Sequence, residues 1–448
     1  MDTGAIFKAY DVRGTYPDQL DEGAARAIGS AFAEYCRSER LVLARDMRPS
    51  GVSLSAAFAD GVRAEGVAVV DLGLASTDLL YFASGYLDAP GAMFTASHNP
   101  AQYNGIKLCL AGARPVGAQS GLVEIELAAQ ARLGHVGRPR ASLVEADLWA
   151  AWVDHVHSFI DTTKLRPLRI VADAANGMGG LVAPRVFSGL PVDFEVLYAE
   201  LDGTFPNHPA DPLNAANLVD LQRRVQATGA DLGLAFDGDA DRVFVVDERG
   251  TPMSGSTTTA MVAAALLDRY PGSTVLYNVI CSKAVPEVIA EHGGVGVRTR
   301  VGHSYIKQVM AQTNAVFGGE HSGHYYYRDN YFADSGIITA MIVLELLSAS
   351  NRPLSQVQAP FRRYASSGEH NTEVADPAAT VATISTRLRA DGVVVDELDG
   401  LSADFGSWWF NVRASNTEPL LRVNVEARDP ESCARGVEEV IAMIKEAQ

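Results

Sequence analysis

Short apolar segments alternate with helical segments along most of the chain, and this alternation limits the possible folds more than any other feature. Residues 41–44 form a short apolar run, residues 53–65 have helical spacing, and residues 67–73 form a second apolar run. The same order recurs after the apolar residues 168–173. Because strands that alternate with helices build sheets covered by helices, the sequence predicts a layered α/β protein.

The last part of the chain has a different pattern. Residues 408–413 and 420–427 are strand-like runs that we expect to pair, and residues 432–448 have helical spacing. This arrangement is typical of a small α+β domain. Together with breaks near residues 145, 250 and 365, it predicts four domains: 1–145, 146–250, 251–365 and 366–448.

Composition excludes several classes of protein. The chain has 448 residues, is 47% hydrophobic and 20% charged, and carries a formal net charge of −17, which disfavours broad nucleic-acid binding. The longest apolar run, residues 260–267, is far shorter than the roughly 20 residues that cross a bilayer. The first residues lack the basic and apolar regions of a signal peptide, and the cysteines are widely spaced. We therefore expect a cytoplasmic protein with no nucleic-acid or membrane partner.

Three carboxylates follow the apolar run 232–236 at alternate positions: Asp237, Asp239 and Asp241. In a straight strand their spacing would be roughly 7 Å, so a shared cation requires the backbone to curl, which Gly238 and Ala240 allow. Hard oxygen ligands of this kind suit Mg²⁺. The sequence therefore predicts a magnesium site, with Arg242 beside it.

Three alternatives apply to this acidic segment. It could be a solvated acidic loop. A calcium-binding loop fits Asp237, Asp239 and Asp241, but Arg242 stands where that loop needs glycine and the flanks are β-like. A phosphatase with Asp237 as nucleophile is disfavoured because Arg242 and Val243 stand where its motif has threonine.

Ser97 lies in the segment 95–100, which follows the apolar residues 91–94. The pair Asn99 and Pro100 favours a non-helical turn, so we expect Ser97 to be exposed on a loop at a strand end. Such a serine can be a nucleophile or a phosphorylation site, although on these residues alone an ordinary turn serine is favoured by roughly three to one. A serine hydrolase is disfavoured because the adjacent His98 is poorly placed as a base and no G-x-S-x-G motif is present.

Two further loops concentrate polar side chains. Residues 413–419 lie between the paired strands and offer a guanidinium, hydroxyls and an amide, which favours phosphate binding over a plain polar turn. Residues 318–324 combine a carboxylate, a serine and two imidazoles on a glycine-rich loop, which favours binding of sugar hydroxyls over metal. His303 falls near the start of a predicted helix, where it could meet an anion.

Taken in order, the motifs at 95–100, 237–242, 319–324 and 413–419 resemble those of the α-D-phosphohexomutases in the phosphomannomutase/phosphoglucomutase family. The opening residues 7–14 resemble that family's first motif as well. The resemblance covers almost the whole chain. It implies three similar mixed α/β sandwich domains and a smaller C-terminal α+β domain around a central cleft.

The resemblance also implies a reaction. Ser97 would be a phosphoserine that gives its phosphoryl group to a hexose monophosphate and takes back the other phosphate of a hexose 1,6-bisphosphate intermediate. Mg²⁺ would be held by Asp237, Asp239, Asp241 and Ser97, near Arg242, and would offset charge on the transferring group. A hexose 1,6-bisphosphate would also be the activator.

Roles for other residues follow from matching positions in the motifs. The catalytic residues besides Ser97 would be Arg13, His98, Lys107 and His324, of which Lys107 and His324 match proposed general acid/base positions. The substrate-binding residues would be Tyr10, Lys283, His303, Glu320, Ser322, Arg413, Ser415, Asn416, Thr417 and Arg422. Within that set, Glu320 and Ser322 would bind the sugar hydroxyls O3 and O4, and the loop at 413–417 would bind the distal phosphate.

The resemblance favours interconversion of mannose 1-phosphate and mannose 6-phosphate, with glucose phosphates as secondary substrates. His321 supports this preference, because the phosphoglucosamine branch more often has glutamine there. The alternatives are a phosphoglucosamine mutase and a non-catalytic sugar-phosphate-binding protein. The sequence leaves open whether the protein is a monomer or a dimer.

Overall fold

A computed structural model of the chain describes residues 3–414 and 420–447. Over these residues the chain divides into two compact units. The first unit comprises Met1–Ser254, Lys307–Phe317 and Ser322–Val357, and the second comprises Gly255–Ile306, Gly318–His321 and Gln358–Gln448.

A seven-stranded mixed sheet organises the first third of the described chain. Its strand order is β1-β5-β4-β2-β3-β7, and β6 pairs with β5. The parallel strands β2 and β4 are nearly continuous buried runs, as expected for strands covered on both faces. The strands are β1 (Val12–Thr15), β2 (Arg40–Arg45), β3 (Ala68–Leu74), β4 (Gly91–Phe94), β5 (Tyr103–Leu110), β6 (Arg114–Pro115) and β7 (Leu143–Glu145).

Two helices of this region pack backbone against backbone. A Cβ atom on Gly29 would lie 2.2 Å from the Phe58 carbonyl oxygen, and one on Gly61 would lie 2.0 Å from the Arg26 carbonyl oxygen. Glycine is therefore required at both positions. The helices of the region are α1 (Glu22–Cys36), α2 (Ser50–Ala64), α3 (Thr77–Tyr86) and α4 (Val123–Ala131).

A second sheet, with strand order β11-β10-β8-β9, follows in the first unit. β8 is parallel to both β9 and β10, whereas β10 and β11 form an antiparallel pair joined by residues 237–242. This arrangement places the acidic segment at the carboxyl end of β10. The elements are α5 (Trp149–His157), β8 (Leu168–Asp173), α6 (Gly179–Phe187), β9 (Val192–Leu197), α7 (Val219–Thr228), β10 (Leu232–Phe236) and β11 (Val243–Asp247).

The next stretch returns to the α/β pattern, with β12 and β13 paired in parallel. The strand predicted at 315–317 begins only at Phe317 and runs to Gly319. Ala315 and Val316 are buried before the strand starts, so an apolar run does not mark where pairing begins. The elements are α8 (Gly255–Arg269), β12 (Thr274–Asn278), α9 (Ala284–Glu291), β13 (Val295–Thr299), α10 (His303–Thr313), β14 (Phe317–Gly319), β15 (Tyr325–Tyr327), α11 (Gly336–Ser350) and α12 (Leu354–Val357).

In the described residues, no single helix is both long and apolar enough to cross a membrane. The bent pair Gly336–Ser350 and Leu354–Phe361, whose axes meet at 91°, reaches the required length and composition only when taken together.

An antiparallel sheet with strand order β16-β20-β19-β18-β17 forms the C-terminal part of the second unit. The predicted pairing of residues 408–413 with 420–427 is confirmed as β19 against β20. The polar edge strand β16 has no apolar pattern from which it could be predicted. The elements are β16 (Ala365–Glu373), α13 (Pro377–Ala390), β17 (Val395–Asp396), β18 (Leu401–Asp404), β19 (Trp408–Ala414), β20 (Leu420–Ala427) and α14 (Pro430–Glu446).

Candidate active site

Ser97 lies in the loop that follows β4, as the sequence predicts, but it is not exposed. Its exposed fraction is only 2%, and its backbone has a φ of +48°, in the left-handed region. The backbone N–H of Ser97 donates to Thr95 Oγ1 at 2.8 Å. The expectation of an exposed serine is wrong because the turn folds back against neighbouring segments of the first unit.

The fully buried Arg48 holds this turn in place. Its guanidinium donates hydrogen bonds of 2.6 to 2.9 Å to four carbonyl oxygens, and its Nε lies 3.3 Å from Asp46 Oδ2. Burial raises the pKa of Asp46 and lowers that of Arg48. Sequence reasoning missed this pair, although two opposite charges directly after the apolar strand β2 were a usable signal. The four accepting carbonyls belong to Ser97, Asn99, Pro100 and Tyr103.

The acidic segment curls as its spacing requires. Ala240 has a φ of +61°, and Asp237, Asp239 and Asp241 are all buried. One oxygen from each of the three carboxylates lies within 4.8 Å of the others. Ser97 Oγ donates to Asp237 Oδ2 at 2.6 Å, so the serine hydroxyl adjoins the carboxylate cluster.

Lys107, on β5, ties two of these carboxylates together. Its ammonium donates to Asp239 Oδ2 at 2.7 Å and to Asp241 Oδ2 at 2.5 Å. The other oxygens, Asp239 Oδ1 and Asp241 Oδ1, are buried without a hydrogen-bond partner in the described part of the chain. Two buried orphan oxygens beside a third carboxylate are a donor set that fits a hard divalent cation.

Charge and burial set the pKa values of this cluster. Burial, together with the charges of Asp239 and Asp241, holds the pKa of Asp237 well above its usual value. Burial and the charge of Asp239 raise the pKa of Asp241 to about 6. Burial opposes ionisation of Asp239 too, but the charge and hydrogen bond of Lys107, the Thr77 hydroxyl and Arg242 together outweigh it and lower the pKa of Asp239. Burial likewise disfavours the charged form of Lys107, yet Asp239 and Asp241 raise the pKa of Lys107, so it is protonated near neutral pH.

Arg242 connects the carboxylate cluster to two histidines. Its Nη2 lies 2.9 Å from His98 Nδ1, its Nε donates to His324 Nε2 at 3.1 Å, and it lies 3.4 Å from Asp237 Oδ2. A guanidinium can only donate, so both of these imidazole nitrogens accept. His324 Nδ1 therefore carries the proton and donates to Ser322 Oγ at 3.0 Å. The charge of Arg242 and burial hold the pKa of His98 well below its ordinary value, so His98 is neutral.

A second set of three side chains, Asp241, His324 and Asp334, also lies within metal-binding distance. Lys307 forms an ion pair with Asp334 at 2.6 Å, and both side chains are buried. The set formed by Asp237, Asp239 and Asp241 offers three carboxylates instead of two and adjoins the Ser97 hydroxyl, so it is the better site for a hard divalent cation.

Arg13 supports the serine loop from β1. It donates to Ala96 O at 3.3 Å and to Asn99 Oδ1 at 2.5 Å, and it pairs with Asp11. Tyr10 lies half-buried in the bend before β1. The first unit thus brings together, among the residues selected from the sequence, Arg13, Ser97, His98, Lys107, Asp237, Asp239, Asp241, Arg242, Ser322 and His324.

In the second unit, Glu320 is held by two donors. Asn278 Nδ2 and the backbone N–H of Gly302 each lie 3.1 Å from Glu320 Oε1. Asn278 also contacts His321 Nδ1 at 3.1 Å. Gly302 precedes His303, which begins α10 as the sequence predicts. Asn278 was not selected from the sequence, where a lone polar residue at a strand end gave no specific signal.

The C-terminal sheet places two selected arginines side by side. Arg413 and Arg422 are directly paired across β19 and β20, and both lie near Glu369, at 3.2 and 3.4 Å. Lys283 lies against Asp404, with 2.6 Å between its Nζ and the carboxylate. Ser415, Asn416 and Thr417 lie outside the described residues.

Models of four consecutive domains match the chain. They are described as the alpha/beta/alpha domains I, II and III and the C-terminal domain of phosphoglucomutase/phosphomannomutase. The matched residues are 4–130, 150–250, 254–364 and 367–443. The chain belongs to the phosphoglucomutase/phosphomannomutase family. Its predicted family and its predicted α/β fold class are therefore confirmed, as is the prediction that it is an enzyme, a phosphohexomutase.

Relatives in this family resemble the chain over nearly its full length. A protein named "Phosphohexose mutases" from Xanthomonas campestris pv. campestris is 40% identical over 94% of this chain and 95% of its own length. A phosphomannomutase from Salmonella typhimurium is 38% identical over 94% of each chain. The crystal structure of a phosphoglucomutase/phosphomannomutase family protein from Burkholderia thailandensis has 32% identity and a TM-score of 0.91, and the match covers 100% of this chain and 98% of that one.

Proposed function

We propose that this phosphohexomutase is a phosphomannomutase that interconverts mannose 1-phosphate and mannose 6-phosphate through a phosphoserine at Ser97. The observation that carries the proposal is the placement of Ser97 Oγ 2.6 Å from Asp237 Oδ2, within a buried cluster of three carboxylates. A buried hydroxyl beside three carboxylates is poorly suited to a surface modification site, but it suits phosphoryl transfer assisted by a cation.

The proposed reaction has two transfers of a phosphoryl group. The Ser97 Oγ–P bond breaks as a hydroxyl oxygen of the hexose monophosphate bonds to phosphorus, which gives a hexose 1,6-bisphosphate and frees Ser97. After the intermediate reorients, its other phosphate returns to Ser97 and the isomeric monophosphate leaves. The sugar hydroxyl loses one proton in the first transfer and Ser97 gains one, so the reaction is balanced over the cycle.

The proposed metal is Mg²⁺, held by Asp237, Asp239, Asp241 and phosphorylated Ser97. Its contribution is positive charge that offsets the negative charge on the transferring phosphoryl group. When all three carboxylates are ionised, the two cationic side chains that contact them, Lys107 and Arg242, leave one net negative charge for a cation to balance.

Four further residues have proposed roles in proton transfer and positioning. Lys107 and His324 are the proposed acid/base groups, and because Lys107 is protonated near neutral pH it enters as a proton donor. Arg13 orients the serine loop through its bonds to Ala96 and Asn99. His98 is neutral, and its Nδ1 lies 3.4 Å from Ser97 Oγ, so it contacts the proposed nucleophile.

For the substrate, we propose that Glu320 and Ser322 bind sugar hydroxyls and that Arg413, Ser415, Asn416, Thr417 and Arg422 bind the distal phosphate. Arg413 and Arg422 support the latter role, because they stand opposite each other on β19 and β20 and arginine suits bidentate recognition of phosphate oxygens. Tyr10, Lys283 and His303 are proposed as further substrate contacts. Mannose is favoured by the names of the relatives, and glucose phosphates are proposed as secondary substrates.

We further propose that the protein is cytoplasmic, works as a monomer or a dimer, and is activated by a hexose 1,6-bisphosphate. The second candidate function is phosphoglucosamine mutase, which shares this chemistry. Turnover of glucosamine and mannose phosphates measured side by side separates the two candidates.

Phosphorus NMR tests the proposal directly. The protein is mixed with Mg²⁺, with mannose 1-phosphate as substrate and with a trace of glucose 1,6-bisphosphate as activator. We expect a mannose 6-phosphate resonance to grow, and its growth should stop when the metal is chelated. The matched control is Ser97→Ala, which should show no conversion. Turnover by Ser97→Ala would refute the phosphoserine. If the primed protein converts none of the mannose, glucose and glucosamine phosphates, the mutase proposal is wrong and a non-catalytic sugar-phosphate-binding protein is favoured.

A further inference from the structure

Within the described residues, Asp239 accepts hydrogen bonds at only one of its two carboxylate oxygens. Thr77 Oγ1 donates to Asp239 Oδ2 at 2.5 Å, and Lys107 Nζ donates to the same oxygen at 2.7 Å. Asp239 Oδ1 is buried and has no hydrogen-bond partner among the described residues. The carboxylate is thus fixed with one oxygen occupied by the protein and the other available.

Thr77 is attached to the acidic segment twice. Besides its hydroxyl bond, its backbone N–H donates to the carbonyl oxygen of Asp239 at 3.2 Å. Thr77 is fully buried and is the first residue of α3, so its backbone N–H belongs to the helix end, where no intrahelical acceptor exists. The start of α3 therefore sets both the backbone position and the carboxylate orientation of Asp239.

The start of α3 is itself held firmly. Ser76 caps the helix by accepting from Leu79 N and also donates to Asp78. The other oxygen of Asp78 accepts from Ser335, the capping residue of α11, at 2.9 Å. Thr77 thus lies between two residues whose side chains are held by hydrogen bonds, so the backbone from which its hydroxyl extends is held in place.

We propose that Thr77 is a positioning residue of the metal site, which orients Asp239 so that Oδ1 is presented to the cation. The proposal rests on the proposed function for the presence of a metal at Asp237, Asp239 and Asp241. A donor that fixes a metal-binding carboxylate from behind typically contributes ten- to a hundredfold to metal affinity. The hydroxyl is the required group, because the methyl group of threonine can form no hydrogen bond to Asp239.

Titration with Mn²⁺ in place of Mg²⁺ tests the proposal without sugar or turnover. Binding is measured by electron paramagnetic resonance as the loss of the signal of free Mn²⁺. Thr77→Val keeps the shape and removes the donor, and it should weaken Mn²⁺ binding by about ten- to a hundredfold. Thr77→Ser keeps the hydroxyl and should bind within about threefold of the wild type. Thr380→Val is the matched control and should leave binding unchanged, because Thr380 in α13 is also buried but its hydroxyl donates to the carbonyl oxygen of Asp376, the capping residue of that helix.

Kinetics provide a second readout. In Thr77→Val the concentration of Mg²⁺ at half-maximal rate should rise by the same factor, while kcat at saturating Mg²⁺ recovers; a purely structural defect would lower kcat at every Mg²⁺ concentration. If Thr77→Val does not fold, Thr77→Cys, a weak donor of similar size, replaces it and should bind Mn²⁺ more weakly than Thr77→Ser.

The outcomes separate this inference from the proposed function. If Thr77→Val binds Mn²⁺ as tightly as the wild type, or if Thr77→Ser weakens Mn²⁺ binding as much as Thr77→Val does, the Thr77 hydroxyl has no positioning role. Either result would leave the proposed metal site unaffected. Absence of Mn²⁺ binding by the wild type would overturn both.

Discussion

Replacement of Arg48 by methionine should release the loop that carries Ser97. Methionine has a similar length, but it offers no donor to the four carbonyl oxygens of residues 97, 99, 100 and 103 that Arg48 now binds at 2.6 to 2.9 Å. It would also leave the fully buried Asp46 without its cationic partner. The loop should therefore open far more often, while the rest of the fold has little reason to change.

The size of the effect follows from these contacts. Hydrogen bonds from a charged donor are worth about 1.5 to 3 kcal/mol each, and removal of one partner of a buried ion pair costs about 3 to 5 kcal/mol. These contributions are not additive, and Asp46 can take up a proton, so we expect the local free energy of opening to fall by at least about 4 kcal/mol. That value corresponds to about a thousandfold loss of protection.

Hydrogen–deuterium exchange of peptides that cover residues 95–104 is the assay, because it reports local opening in a chain of several domains. The matched control is Arg185→Met, in which an exposed arginine bonded to one carbonyl is replaced and protection of residues 95–104 should not change. Arg48→Lys, which keeps the charge but has fewer donors, should be intermediate. Protection of the Ser97 loop in Arg48→Met within threefold of the wild type would refute the reasoning.

Three other changes have expected outcomes. Asn278→Asp removes an amide donor to Glu320, so the KM for mannose 1-phosphate should rise about tenfold in steady-state kinetics, and an unchanged KM would argue against Glu320 as a sugar ligand. Gly29→Ala should lower the melting temperature by several degrees in a calorimetric scan, because its Cβ would lie 2.2 Å from a carbonyl oxygen; a rise, as for ordinary helical glycines, would contradict that packing. Burial raises the pKa of Asp78 to about 7, against the hydrogen bonds it accepts, so its contribution to stability is fully present below about pH 4 and is lost as the pH rises to 7. Asp78→Asn should therefore gain stability relative to the wild type as the pH rises from about 4 to 7 in thermal melts, and a pH-independent difference would exclude this titration.

Local patterns in the sequence were enough for the main elements of the fold. The strand at 168–173 and the paired runs at 408–413 and 420–427 were predictable because alternation and apolar content report directly on burial within a strand. The acidic segment was predictable for a related reason. Carboxylates at alternate positions directly after an apolar strand, with small residues between them, can share an ion only if the backbone curls, and the φ of +61° at Ala240 provides that curl.

The sequence by itself thus determined the α/β class, the residue types of the candidate site and, through its motifs, the family. Only the tertiary structure decided how those residues are oriented. The contacts of Arg48 with the Ser97 loop and of Thr77 with Asp239 gave no signal in the sequence, because the partners lie about 50 and 160 positions away. Which oxygen of Asp239 is occupied depends on three segments meeting at one point. Long-range contacts of this kind come from the packing of whole elements, and they, rather than the motif, orient the carboxylates of the acidic segment.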